Sequence, residues 1–215
     1  HHLVLHSFPT RRSSDLRIIV SAGTNHMYTE EYIKNVLEKA EAGDFVLLQN
    51  EINMVGEIIR LSHEKGCRVV FNASPIPGKP EELPLELVDI FMVNELEAAA
   101  LAGTSTEGDF RDILKALQKK YPKAAIVMTL GKEGVFYGYK EEFYSHPIFK
   151  VNAVDTTAAG DTFCGYFLAA LCAEKSVETA LREASAASAM AVSAKGAAPS
   201  IPVHSAVEEW LCGRS

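Results

Sequence analysis

Short apolar runs separated by amphipathic segments dominate the sequence from residue 17 onward and limit the folds open to it. The apolar runs span residues 18–20, 45–48, 68–71, 90–93 and 125–130. Short continuous runs of this kind are typical of strands buried on both faces of a sheet. The segments between them have helical periodicity at 30–41, 54–65, 95–101 and 109–120, and a glycine closely follows each of the first three. This alternation predicts an α/β fold in which helices flank a mostly parallel sheet.

Residues 134–151 depart from this pattern. GVFYGY and EFYSH flank a polar turn at Lys140 and Glu141, which predicts an antiparallel hairpin at one edge of the sheet. Helical segments follow near 160–173, 177–193 and 203–211, and residues 184–194 are rich in alanine and serine. Because no linker or repeat interrupts the chain, we expect one domain, or most of one.

The first 16 residues, HHLVLHSFPTRRSSDL, have a different character. They contain no apolar stretch long enough for a secretory signal, and LHSFPTRRSSDL resembles translated library-adapter sequence. We therefore expect residues 1–16 to be a foreign, disordered segment and residues 17–215 to form the domain.

Charge and cysteine content exclude some classes of partner. The chain of 215 residues has 21 Lys and Arg against 28 Asp and Glu, a net charge of -7, so we expect no nucleic-acid partner. Four scattered cysteines without CxxC spacing argue against a disulfide framework or a zinc site and favour a cytoplasmic protein. No apolar run approaches the roughly 20 residues that a membrane span needs, so we expect no membrane partner.

Polar residues follow four of the predicted strands where each strand ends. They are Gln49, Asn50 and Glu51, then Asn72, then Asn94 with Glu97, and finally Thr129 with Gly131. In an open parallel sheet these positions lie at the carboxyl edge, where ligands bind. At any single position, a cap for the next helix explains an Asn or Asp equally well. The four strands together favour a ligand crevice.

The segment VDTTAAGDTFCG, residues 154–165, combines a turn with the start of an apolar helix. A helix that begins near Ala159 or Gly160 leaves its first N–H groups without intrahelical partners, which makes an anion site. Small side chains at 158–160 let phosphoryl oxygens approach the backbone. Asp161, in the first turn, can accept the proton of an attacking hydroxyl. The alternative is an acidic residue that only stabilises the helix N-terminus.

DTTAAGDTFCG resembles the carboxy-terminal signature of the ribokinase-like, or pfkB-type, carbohydrate kinases. The segments LLQNE, FNASP, VNELEAAALAG, TLGKEGV and KGAAPSIP agree with that family in the same order, so the resemblance covers residues 17–211. AAGD and GAAPSIP are most similar to the ribokinase branch. The resemblance implies a three-layer ribokinase-like fold and ATP-dependent phosphorylation of a sugar hydroxyl, with D-ribose giving ribose 5-phosphate.

The same resemblance implies roles for single residues. Asp161 matches the catalytic base that deprotonates the sugar, with an anion hole at Ala158, Ala159 and Gly160. Glu51 matches a sugar-contacting position. The residues implied to bind ATP are Asn94, Thr129, Gly131, Lys132, Gly134, Gly160 and Ser185, the last of which would line the adenine pocket.

Two metal ions are implied as well. Asn94 and Glu97 match the family's NxxE motif, which is linked to magnesium and phosphate positioning, and a hard divalent cation prefers oxygen ligands. A monovalent-cation site, usually potassium and built largely from carbonyls, corresponds to Asp155, Thr157, Ala191, Ala194, Gly196 and Ser200. The expected ligands are therefore a small sugar, ATP, Mg²⁺ and K⁺, and a homodimer is a further expectation.

The sequence departs from the family in one respect. The amino-terminal Asn/Asp sugar-binding motif and the GGKGAN-like stretch do not occur in it. We therefore expect a fragment that has impaired activity, an incomplete lid region and an unpaired sheet edge.

Several alternatives remain after this comparison. A fructokinase or a 2-keto-3-deoxygluconate kinase of the same family stays open, as does a non-catalytic nucleotide-binding domain. A nicotinamide dehydrogenase is disfavoured because no GxGxxG follows a strand. An ATPase P-loop is disfavoured because Glu133 follows Gly131 and Lys132.

Overall fold

Six strands form one mixed sheet in the computed structural model, which describes residues 4–6, 18–20 and 22–214. In spatial order the strands are β3 (Phe45–Gln49), β4 (Arg68–Asn72), β5 (Ile90–Asn94), β6 (Ala125–Thr129), β7 (Val135–Tyr139) and β8 (Glu142–His146). The first four are parallel, and β7 and β8 form an antiparallel hairpin at the edge. The predicted parallel sheet with an edge hairpin is confirmed for four of the five apolar runs. The fifth run, residues 18–20, was predicted as a strand of the same sheet, and this was wrong because it lies outside that sheet.

Two further strands pair outside this sheet. β1 (Val4–His6) and β2 (Ile18–Val20) are antiparallel, with Val4 opposite Val20. Most of the segment that we expected to be foreign and disordered lies outside the described residues, so the domain boundary at residue 16 stays a prediction.

Seven helices of the described chain cover the two faces of the sheet. They are α1 (Glu30–Leu37), α2 (Val55–Glu64), α3 (Glu95–Ala102), α4 (Phe110–Lys120), α5 (Ala159–Cys172), α6 (Val177–Val192) and α7 (His204–Cys212). The side chains of β4 alternate between the faces: Val69 and Phe71 pack with α1 to α4, and Val70 packs with α5 and α6. Helix α7 packs on α6 through Val207 and Leu211. The predicted three layers are therefore present.

The first helix is shorter than predicted. We expected it over 30–41, and it ends at Leu37. Beyond that point the N–H groups of Lys39 and Ala40 bond to carbonyls only three residues back, which tightens the last turn. The ammonium group of Lys65 binds the Leu37 carbonyl, and the Gly43 N–H donates to the Gly66 carbonyl. These contacts with the end of α2 stop the helix.

The edge formed by β3 agrees with the expected unpaired sheet edge. Among the described residues, only β4 pairs with β3, and Leu47 on this strand is 44% exposed. Cys67, Cys164 and Cys172 form no disulfide. No helix in the described part of the chain has both the length and the apolar character needed to cross a bilayer.

Gly134 gives a test of the turn between β6 and β7. Its φ of 98° and ψ of -140° lie near a region that is open almost only to glycine. A Cβ there would overlap the His146 carbonyl oxygen and lie 2.9 Å from the Pro147 Cα. Gly134→Ala should therefore lower the free energy of unfolding by about 1–3 kcal/mol or more, as measured by urea denaturation.

Gly78→Ala is the matched control for this substitution. A Cβ at Gly78 would meet no protein atom within 4 Å, so its unfolding midpoint should stay close to that of the unmodified chain. Equal stability of the two variants would contradict the role assigned to Gly134.

Candidate active site

The ends of the four parallel strands line one small cavity. Its volume is about 250 Å³, and Gln49, Asn72, Asn94 and Thr129 line it, one from each strand. Asp161 lines the same cavity from α5. The predicted crevice at the carboxyl edge of the sheet is confirmed.

Two of the polar residues after β3 lie elsewhere. The Asn50 side chain donates to the Pro75 carbonyl at 3.0 Å, and Glu51 is exposed in the following turn. Neither lines the small cavity. The sugar contact that the resemblance assigns to Glu51 therefore stays a prediction.

Asn94 both caps a helix and lines the cavity. Its Oδ1 accepts from the Glu97 N–H at 2.9 Å, and a Glu97 carboxylate oxygen accepts from the Asn94 N–H at 2.8 Å. These reciprocal bonds form a capping box at the start of α3. The capping and ligand explanations for Asn94 are therefore compatible.

Glu97 is a buried carboxylate that has no cationic partner among the described residues. The residue is 7% exposed, and burial raises the pKa of its carboxyl, although hydrogen bonds from Asn94 and Ser74 oppose the shift. None of the ion pairs in the described chain includes it. An oxygen ligand with uncompensated charge beside a polar cavity suits a divalent cation that keeps part of its water shell.

The start of α5 has the open N–H groups on which the predicted anion site depends. Ala158 takes a left-handed conformation with φ 61° and ψ 13°, which turns the chain into the helix. The N–H groups of Gly160 and Asp161 belong to the first turn, and neither donates to a backbone carbonyl in the described chain. A Cβ added at Gly160 would meet no protein atom within 4 Å, so the space beside these donors is open.

A second, larger cavity adjoins the first. Its volume is about 610 Å³, within the range of small-molecule pockets. Six of the seven residues predicted to bind ATP line it, namely Thr129, Gly131, Lys132, Gly134, Gly160 and Ser185. The seventh, Asn94, lines the small cavity. The residues that line both cavities are Thr129, Thr156, Ala159, Gly160 and Phe163.

Sequence reasoning missed part of the wall of the larger cavity. We assigned residues 134–151 to a hairpin, but β8 ends at His146 and the segment after it lines the cavity with Ile148, Phe149 and Lys150. Phe149 also packs against Trp210 of α7, with ring centroids 4.9 Å apart. The sequence signal for this wall was the apolar pair Ile148 and Phe149 in PIFK, which follows a polar strand.

The carboxylate of Asp155 joins the loop before α5 to the loop after α6 by hydrogen bonds. One oxygen accepts from the Thr157 hydroxyl at 2.6 Å and the Thr157 N–H at 3.0 Å, and the other accepts from the Gly196 N–H at 3.0 Å. The Thr157 bonds and then the Gly196 bond lower the pKa of Asp155 to about 2. Three of the residues predicted for the potassium site are thus in direct contact.

The other three lie in the same region. Ala191 and Ala194 are joined by a backbone hydrogen bond of 3.1 Å, and the buried Ser200 donates to the Ala197 carbonyl at 2.7 Å. Residues 22–214 contain no cluster of three or more His, Cys, Asp or Glu side chains that could hold a metal ion. The potassium site built from carbonyls stays a prediction.

Cys164 lies one turn after the anion site and is buried. Burial, and then the charge of Asp161, raise the pKa of its thiol to about 12. Its Sγ lies 3.1 Å from the Met92 Sδ. Cys164 is therefore part of the core that supports the small cavity.

Comparison with known proteins identifies the family. Residues 11–204 match the family described as pfkB family carbohydrate kinase. The chain belongs to this family. The match begins inside the segment 1–16, and it includes every residue that the sequence singled out for the site.

Ribokinases are among its most similar relatives. The chain is 35% identical over 204 residues to the ribokinase of Haemophilus influenzae, covering 93% of this chain and 66% of that protein. The ribokinase of Thermotoga maritima has a similar structure, with a TM-score of 0.78, 33% identity and coverage of 92% of this chain and 65% of that one. A structure of Arabidopsis thaliana ribokinase complexed with ribose and ATP gives a TM-score of 0.76, 31% identity and coverage of 91% and 64%. The chain thus spans about two thirds of the length of the relatives it matches.

Glu97→Gln separates the charge of this residue from its capping role. The amide oxygen can still accept from the Asn94 N–H, and the buried charge disappears, so the melting temperature should stay equal or rise at neutral pH. Because the variant lacks an anionic ligand, the magnesium concentration needed for half-maximal nucleotide binding should rise by about tenfold or more. Titration of magnesium at fixed nucleotide measures this, with Glu95→Gln in the same helical turn as control. An unchanged magnesium dependence would rule out Glu97 as a cation ligand.

The low pKa of Asp155 predicts a stability change in acid. Its folded-state pKa of about 2 is below the ordinary 3.8, so its contribution to the free energy of unfolding is complete above about pH 4 and is lost as the pH falls toward 2. Asp155→Asn should therefore be less stable than the unmodified chain at pH 6, and the difference should shrink between pH 4 and 2. Urea unfolding at each pH, with Asp112→Asn as control for loss of one charge, measures it. A difference that grows in acid would contradict the assignment.

Proposed function

We propose that this chain carries the nucleotide site and the catalytic base of an ATP-dependent sugar kinase, and that the sugar is D-ribose, which becomes ribose 5-phosphate. The observation that carries the proposal is the junction of the two cavities. Ala159 and Gly160 line both cavities, and Asp161, the next residue, lines the small one. A phosphoryl donor in the larger cavity and a hydroxyl acceptor in the smaller one would meet at the start of α5.

The two cavities differ in chemistry as this reaction requires. Mostly apolar side chains, among them Val135, Phe163 and Val192, line the larger cavity, and Lys132 and Lys150 add positive charge. That combination suits a nucleotide, with its flat base and its phosphates. The smaller cavity has amide, hydroxyl and carboxylate side chains, and none of the described residues that line it is a lysine or arginine. This suits a ligand with many hydroxyl groups.

The proposed reaction uses the chain's own groups in two ways. Asp161 accepts the proton of the sugar hydroxyl, whose oxygen attacks the γ-phosphorus of ATP. The bond between that phosphorus and the bridging oxygen breaks, and ADP leaves with the bond's electron pair. The N–H groups of Gly160 and Asp161 donate to the transferring phosphoryl group as its charge shifts. Alignment and charge neutralisation are the main requirements of such a transfer.

Asn94 and Glu97 would hold magnesium near the phosphates. When bound, magnesium supplies charge neutralisation to the phosphate oxygens. The uncompensated carboxylate of Glu97 supports this assignment. Asp155 and its partners would order the loop before α5 and hold potassium through carbonyl oxygens.

Similarity to ribokinases favours ribose among the sugars. The relatives named above are ribokinases, and one of their structures is complexed with ribose and ATP. Fructose and 2-keto-3-deoxygluconate are the competing substrates within the family. A panel of these three sugars, assayed for ADP release, ranks them directly, and a preference for either competitor would contradict the assignment to ribose.

Asp161→Asn tests the assignment of the base. The variant should lose turnover by about 10²- to 10⁴-fold, the usual contribution of a general base, and should bind ATP as before. Trp210, the single tryptophan, contacts Phe149 in the wall of the larger cavity, so its fluorescence measures nucleotide binding. Asp112→Asn on α4 serves as the control.

The assay also distinguishes the alternative class of function. A chain that binds ATP but transfers phosphate to none of the three sugars would be a nucleotide-binding module. Equal turnover of Asp161→Asn and the unmodified chain would show that another group is the base.

A further inference from the structure

Gln49 and Asp161 are 112 positions apart in sequence and meet at the small cavity. Gln49 ends β3, and Asp161 lies in the first turn of α5. The side-chain Nε2 of Gln49 lies 3.1 Å from the Asp161 Oδ1 and donates to it. Because an ionised carboxylate only accepts hydrogen bonds, the amide must present its NH₂ group on this side.

We propose that Gln49 is a positioning residue that holds the Asp161 carboxylate in the orientation needed for proton abstraction. This inference rests on the proposed function. Gln49 makes the only hydrogen bond to the Asp161 side chain among the described residues. It occupies one carboxylate oxygen and leaves the other to face the sugar hydroxyl.

The bond joins two elements that are themselves held in place. Gln49 lies opposite Asn72 in the parallel register of β3 and β4, and the preceding Leu48 is buried. The start of α5 is fixed from the other side, because the Ser188 hydroxyl of α6 donates to the Ala159 carbonyl at 3.0 Å. The amide therefore reaches Asp161 from a strand of the sheet, and rigid elements hold a reacting group more accurately than loops do.

A neutral donor suits this position better than a cation would. Among residues 22–214, no lysine or arginine lines the small cavity. A cationic partner would orient a carboxylate equally well but would stabilise its ionised form and weaken it as a base. The amide of Gln49 orients the group without neutralising it.

Gln49→Met tests the proposal because methionine has a similar length and no donor. The turnover number should fall about 10- to 100-fold, the effect of a misplaced reacting group, while KM for ribose and for ATP stays within about twofold. Gln49→Glu, which has the same shape and no donor, should lose at least as much. Leu47→Met on the exposed side of the same strand is the control. In the Asp161→Asn background, Gln49→Met should cause no further loss.

The contact itself is tested without turnover. Urea unfolding of Gln49→Met, Asp161→Ala and the double variant should show coupling, with the double variant losing less stability than the sum of the two single changes. Additive losses would overturn the contact. A raised KM for ribose with unchanged turnover would overturn the positioning role and assign Gln49 to substrate binding.

These outcomes separate this inference from the proposed function. If the unmodified chain transfers phosphate to no sugar, the proposed function fails. Coupling without phosphoryl transfer would then make Gln49 a structural bridge between β3 and α5, which also overturns its positioning role.

Discussion

The N–H groups at the start of α5 have no acceptor in their own helix, and the rest of the site is arranged around them. Their position fixes where an anion can bind, because the donors and the positive end of the helix dipole point to the same place. The left-handed turn at Ala158 starts the helix at the junction of the two cavities. The absence of a side chain at Gly160 keeps that junction open.

The parallel sheet explains why polar residues from distant parts of the sequence collect beside this helix start. Parallel strands end at the same edge, so Asn94 and Thr129 lie opposite each other in register. Helices that follow such strands also begin at this edge, so one residue can cap a helix and line a ligand cavity. Asn94 does both. An asparagine after a strand is therefore not evidence for one role against the other.

Net charge gives little information about such a site. The chain carries a net charge of -7, and the carboxylates of Glu97 and Asp161 both line the small cavity. Binding of an anion at the start of α5 would depend on the local N–H donors and on cations such as Lys132 of the larger cavity, since exposed charges farther away than about 10 Å are largely screened by salt. The buried charge of Glu97 is unfavourable for folding by itself, which is common where a functional group is retained in a site.

The sequence by itself determined the six strands of the main sheet, with their edge hairpin, most helices and the small residues at the start of α5. Apolar periodicity and the DTTAAGD segment are local signals that the backbone must follow. Tertiary structure decided what those signals could not contain. The end of α1 at Leu37 depends on Lys65, the residue that follows α2. Phe149 lines the larger cavity because β8 ends at His146. Gln49 meets Asp161 although the two are 112 positions apart in sequence. Each of these features depends on a partner that only the folded chain brings within reach.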